Sequence, residues 1–192
     1  MSPLPEAERR ALLELARRAL TEIVLHGTIL DAPPPTGRLA EPAGVFVSIH
    51  CEGRLRGCLG KVESTAPVAE AVAQCAISVA REDPRFEPVH AEELPGLEIE
   101  ISVLSRLEPI IPEQIEVGRH GLLVRRGALR GLLLPQVPLP YRWSPERFLE
   151  ETCVKAGLPR DSWKDPETRI EAFTAEVFSE ADFHTKPRAQ AS

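Results

Sequence analysis

The sequence predicts an α+β fold: helices packed on an antiparallel or mixed sheet, in two lobes. Three observations carry that reading. Apolar residues recur at helical spacing in three separated segments, while shorter alternating stretches are joined by glycine-containing turns. Strands and helices do not alternate in the regular βαβ order of a parallel sheet. The chain of 192 residues is long enough for one substantial domain, or for two lobes sharing a core. It is read as a single domain over 1–192, with irregular stretches at 31–44 and 181–192.

Residues 5–26 form the first helical segment, with Leu12, Leu15, Ala16, Ala19 and Ile23 on one face and Gly27 as its C-cap. The prolines that follow are too stiff for a helix or sheet interior. Residues 45–51 are extended, and Glu52-Gly53 turns the chain into a second strand, 54–60. A helix then begins at Thr65 or Ala66, with Pro67 in its first turn, and buries Val68, Val72, Cys75, Ala76 and Val79 until Asp83-Pro84. Ile99, Ile101 and Val103 alternate with Glu98, Glu100 and Ser102, the pattern of a half-buried strand. Residues 120–134 form a second hairpin through Arg126-Gly127. Ser144-Pro145-Glu146 opens a helix with Phe148, Leu149, Thr152, Cys153 and Ala156 inward, ended by Gly157. Residues 169–179 form a last strand.

Hydrophobic residues make up 43% and charged residues 27%, ordinary values for a globular protein. No stretch approaches the ~20 apolar residues that span a bilayer. The N-terminal segment has no apolar signal core, so a cytoplasmic chain is expected. A net charge of −6 argues against broad nucleic-acid binding. Arg119, Arg125, Arg126 and Arg130 read as solvated strand and turn positions. Four cysteines, Cys51, Cys58, Cys75 and Cys153, contain no Cys-x-x-Cys pair and point to reduced thiols. No set of His, Cys, Asp and Glu has metal-ligand spacing, and no cofactor is implied.

The chemistry-bearing stretch is Leu55-Arg56-Gly57-Cys58-Leu59-Gly60. On a regular strand Arg54, Arg56 and Cys58 share a face. A thiol beside guanidinium groups ionises more readily. Gly57 and Gly60 leave room for a ligand or a second backbone segment. Cys58 is therefore either a nucleophile or a small packed strand residue. Arg56 either grips a carboxylate or phosphate, or forms an ion pair between lobes with Asp83 or a glutamate. Asp83 and Arg85 stand just past a helix end; Phe86 is a core plug. His120, between Gly118 and Gly121, is either a general acid–base group or a hydrogen-bonded turn residue.

Leu55–Gly60 resembles the Leu-Arg-Gly-Cys-Ile-Gly signature of the AMMECR-one domain family. Asp83-Pro84-Arg85-Phe86, Glu93-Leu94-Pro95, Ile101–Leu104, Gly118–Leu122, Leu132–Val137, Trp143 and Lys155–Leu158 are similar to its further elements, in family order. Together they cover about residues 45–178. The resemblance implies an α+β fold of two lobes and association with Memo-type and radical-SAM proteins, and it implies no particular reaction. One departure stands out: Pro140 occupies the place of a glutamate that family members usually carry three residues before the tryptophan, here Trp143.

Two functions compete. In the first, Cys58 is an activated thiolate and His120 moves protons. Arg56, Gly57, Gly60, Asp83 and Arg85 then line a cleft for a small anionic substrate. In the second, the same residues stabilise a non-catalytic binding or adaptor module. Nucleic-acid binding comes third.

Overall fold

The computed structural model describes residues 3–30 and 34–183. Residues 31–33 and 184–192, part of the stretches expected to be irregular, lie outside them. The chain divides into two compact units, 1–103 with 176–192 and 104–175.

The first unit opens with α1 (Glu6–Leu25), which buries Leu12, Leu13, Ala16, Ala19, Leu20 and Ile23. Its inward face is thus wider than the expected stripe, because Leu13 and Leu20 also turn toward the core. A short 3-10 turn, Gly37–Ala40, precedes β1 (Val45–Cys51) and β2 (Arg54–Lys61). The turn between these strands has both central residues at positive φ, Glu52 at 51° and Gly53 at 75°. That is the geometry whose twist matches a two-residue hairpin. Glutamate tolerates it poorly. Glu52→Asn should therefore raise stability by about 0.5–1 kcal/mol, measured as a higher thermal midpoint.

Helix α2 (Val68–Arg81) follows, with Pro67 at its N-cap, and β3 (Leu97–Leu104) is reached through a 3-10 turn at Ala91–Gly96. The last strand of this unit is β8 (Ala175–Ser179), and the sheet order is β2-β1-β3-β8. Helix α1 packs on α2, and α2 on β1 and β2. The core joins the helices to Val45, Val47, Ile49, Ile99, Ile101, Val103 and Phe178. One face of the sheet thus packs on α1 and α2, and Phe46, Ser48, Glu100 and Ser102 alternate onto the other.

The second unit contains β4 (Glu108–Pro109), β5 (Gly121–Arg126), β6 (Leu129–Leu133), α3 (Pro145–Lys155) and β7 (Arg169–Phe173), with sheet order β4-β7-β5-β6. Ser144 caps α3 by accepting the Arg147 N–H. Helix α3 packs on β5 and β6, around Leu122, Phe148 and Leu149.

Two expectations change. The last strand is not one but two: β7 and β8 are separated at Thr174 and join different sheets. Thr174 is held by a reciprocal exchange, its N–H donating to Ser105 Oγ and its carbonyl accepting the Ser105 N–H. Nor do Arg54, Arg56 and Cys58 share a face. His50 pairs with Leu55 but Ile49 with Gly57, so Arg56 is the extra residue of a β-bulge. The bulge resets the alternation. Arg54 lies opposite Cys51, which packs against the core, whereas Cys58 lies opposite Ser48 on the face turned away from α1 and α2.

Candidate functional site

Strand β2 is a sheet edge, so the outward peptide groups of its residues have no neighbouring strand. At Cys58 side chains take that place. The Cys58 N–H donates to Asp83 Oδ2 at 2.9 Å, and the Cys58 carbonyl accepts from Arg85 Nη2 at 3.0 Å. Asp83, 4% exposed, also accepts from the Arg85 backbone N–H, Nε and Nη2. The Arg85 guanidinium and these amides hold the Asp83 carboxyl well below the usual carboxylate range, against the opposing effect of its burial. The pair raises Arg85 in turn. The Asp-Pro turn ending α2 thus serves as a side-chain substitute for a fifth strand.

Arg56, pushed outward by the bulge, makes a bidentate pair with Glu93: Nε to Oε1 at 2.7 Å and Nη2 to Oε2 at 3.1 Å. Glu93 also accepts the His90 N–H, and the Arg56 bond is the main reason its carboxyl lies below the ordinary value. The partner is thus Glu93 rather than Asp83, and the ion pair lies inside one unit. Phe86 stands between the two arginines, with guanidinium carbons 5.8 Å (Arg56) and 5.5 Å (Arg85) from its ring centre. Both arginines spend Nε and Nη2 on a carboxylate. Neither Nη1 makes a hydrogen bond among the described residues.

The spaces beside the two motif glycines are occupied from within the chain. A Cβ on Gly57 would lie 2.9 Å from Val79 Cγ2 of α2, and one on Gly60 would lie 2.3 Å from the Val45 carbonyl oxygen and 2.5 Å from the Phe46 ring. Cys58 itself is partly exposed. Its cross-strand row on the face turned away from α1 and α2 runs to Ser48 and on to Glu100.

The family model AMMECR1 matches residues 13–178. This chain belongs to the AMMECR1 family. It is 46% identical over 181 residues to a protein of Thermococcus gammatolerans, covering 88% of each chain. A protein of Methanopyrus kandleri is 45% identical over 185 residues, 91% of this chain and 89% of that one. The crystal structure of an uncharacterised protein from Pyrococcus horikoshii superposes with a TM-score of 0.83 at 44% identity, covering 88% of this chain and 90% of that one.

Within this AMMECR1 domain, Arg56, Gly57, Cys58, Gly60, Asp83 and Arg85 all stand at the β2 edge of the first unit. His120 belongs to the second unit. There its Nδ1 accepts the Glu116 N–H at 3.1 Å, which places a neutral ring's proton on Nε2. Burial pushes the Cys75 and Cys153 thiols up, as befits packed cysteines of the AMMECR1 core. Arg119, Arg125 and Arg126 are ion-paired with Glu116, Glu171 and Asp165. Beside Pro140, Tyr141 stacks on Trp143 with ring centres 5.1 Å apart. Among the described residues no helix is long and apolar enough to cross a membrane, and no three His, Cys, Asp or Glu side chains are grouped to hold a metal.

Two features escaped the sequence reading. Glu93 stood in a segment read only as part of a motif, and its spacing from Arg56 carries no periodic signal. Glu100 read as an ordinary polar position of a half-buried strand, and Ser48 carried no signal of its own. Only the register brings them into line with Cys58.

Proposed function

We propose that this AMMECR1 protein binds a small anion at the β2 edge and presents it to the Cys58 thiol. The observation that carries this is the pair of carboxylate-held arginines. Asp83 and Glu93 fix Arg85 and Arg56 through their Nε–Nη2 edges, so the Nη1 groups beside Phe86 are preorganised for an anion. The partly exposed Cys58 is on the strand they flank. His120 is not needed for this reading. Exchange of substrate or product with Memo-type or radical-SAM proteins, as the family resemblance implies, fits a small diffusible anion.

The test compares two alkylating reagents on one thiol. In both reactions the Cys58 sulfur forms a bond to carbon and iodide leaves, but iodoacetate is anionic and iodoacetamide neutral. The ratio of the two rates at Cys58, located by peptide mapping, should exceed that of a free cysteine peptide by about tenfold at low salt. It should fall toward the peptide value at high salt. A ratio equal to the peptide's at low salt rules out an anion site beside the thiol.

The second reading is a non-catalytic binding or adaptor module. It is favoured by the filling of Gly57 and Gly60 by Val79, Ile49 and Phe46, which makes the motif's small residues architectural.

A further inference from the structure

The face of the first sheet opposite α1 and α2 gathers several polar side chains. The Cys58 peptide groups point away from β1, toward Asp83 and Arg85, so Cys58 and Ser48 are a non-hydrogen-bonded pair with Cα atoms about 4.5 Å apart. Ser48 and Glu100 are then a hydrogen-bonded pair, about 5.5 Å apart. Thiol, hydroxyl and carboxylate therefore lie in one row across three strands. In the next row Ser102 faces Phe46, and in the row on the other side His50 faces Glu98.

The serines in this cluster are deeply placed. Ser48 is 9% exposed and Ser102 3% exposed, yet neither hydroxyl makes a hydrogen bond among the described residues. Two hydroxyls without a partner among the described residues are free to bond to a group that comes to this face. The local charge says what kind of group that is. Burial pushes the Glu100 carboxyl up from its ordinary value, opposed by His50 and reinforced by Glu98 and Asp182. Two carboxyl groups of that face, Glu100 and Glu98, against the one imidazole of His50 favour a donor of hydrogen bonds over an acceptor.

We propose that the row of Cys58, Ser48 and Glu100 recognises a hydroxyl or ammonium group of the substrate. The substrate is then a small molecule with an anionic end on the edge arginines and a hydrogen-bond-donating group on the sheet face. This rests on the thiol and anion site proposed above and adds its second half. Cys58 stands between the two halves, so the middle of the molecule, between its anionic and donating groups, lies against the thiol, as it would for a hydroxy acid or an amino acid.

Methanethiosulfonate reagents test the two halves separately. In each case the Cys58 sulfur attacks the sulfenyl sulfur, a disulfide forms and methanesulfinate leaves. The aminoethyl reagent carries a cation that donates hydrogen bonds, the trimethylammonioethyl reagent a cation that donates none, and the sulfonatoethyl reagent an anion. At Cys58 the aminoethyl to trimethylammonioethyl rate ratio should exceed that of a free cysteine peptide by about threefold or more. Both Glu100→Gln and Ser48→Ala should bring it toward the peptide value. Because each ratio is taken on one thiol in one protein, a general change in fold or thiol reactivity cancels. A ratio equal to the peptide's, or one unchanged in both variants, overturns the donor-recognising face. If the sulfonatoethyl reagent is still accelerated, the anion half survives that outcome. Failure of every reagent to modify Cys58 overturns the thiol reading itself, and this inference with it.

Discussion

Asp83→Ala should lower the stability of the protein by about 3 kcal/mol, a large effect for a residue between a helix end and a loop. The cost follows from what the carboxylate does. It is almost wholly buried and accepts from the Cys58 N–H and from three Arg85 donors. Removing it leaves the Cys58 N–H at the sheet edge without a partner. The loss is held near the lower end of the range for buried pairs, because the Arg85 side chain is 54% exposed and can return to water. Denaturant unfolding measures the total, and hydrogen exchange locates it: the Cys58 amide should exchange much faster in the variant. The pH dependence has a definite sign. The folded-state value of Asp83 is depressed below its unfolded value near 4, so its contribution is complete above about pH 4. It is lost only as the pH falls through the folded value. The stability gap between the two proteins should therefore be flat from pH 8 to 5 and shrink in strong acid. Equal stability of the two proteins at pH 7 would mean the edge does not depend on this clamp.

Gly60→Ala should be at least as damaging, about 3 kcal/mol or more. The added methyl would lie 2.3 Å from the Val45 carbonyl oxygen and 2.5 Å from the Phe46 ring. A phenyl ring can rotate away, but the carbonyl belongs to the paired strand β1, and its displacement would disrupt the register. Gly57→Ala should cost less, about 1–2 kcal/mol, because its nearest obstacle is the Val79 side chain at 2.9 Å. Chemical denaturation of the two variants supplies the comparison. Undiminished stability in Gly60→Ala would mean that the glycine is kept for an approaching ligand instead of for Phe46.

The helices and hairpins were legible in the sequence because their signals are local. Pro67 and Ser144 mark helix starts, and Val72, Cys75 and Val79 mark a buried stripe. The Leu55–Gly60 motif and the Asp83–Phe86 turn also stood out in the sequence, and the structure brings them together through Cys58 and Arg85. What was not legible depends on single-residue events without a compositional signature. The bulge at Arg56 reversed the expected face of Arg54 and sent Arg56 to Glu93. The break at Thr174 is carried by a threonine in an otherwise strand-like run, with no glycine or proline to announce it. The row from Cys58 to Glu100 is set by pairing between strands far apart in the chain, which no local pattern encodes.

The interruption at Thr174 also bears on the order in which the protein is made. The second unit, 104–175, is inserted between β3 and β8 of the first. A ribosome releases α1, β1, β2, α2 and β3 early, but the strand carrying Phe178, 1% exposed and worth about 2–3 kcal/mol of burial, emerges only after the whole insert. Until then β3 is an unpaired edge. The nascent chain must therefore hold an incomplete sheet through the synthesis of some seventy further residues, about 4–14 s at ordinary elongation rates. Its most aggregation-prone moment is set by that wait, so slowing translation across the insert should lower soluble yield while leaving the finished protein unchanged.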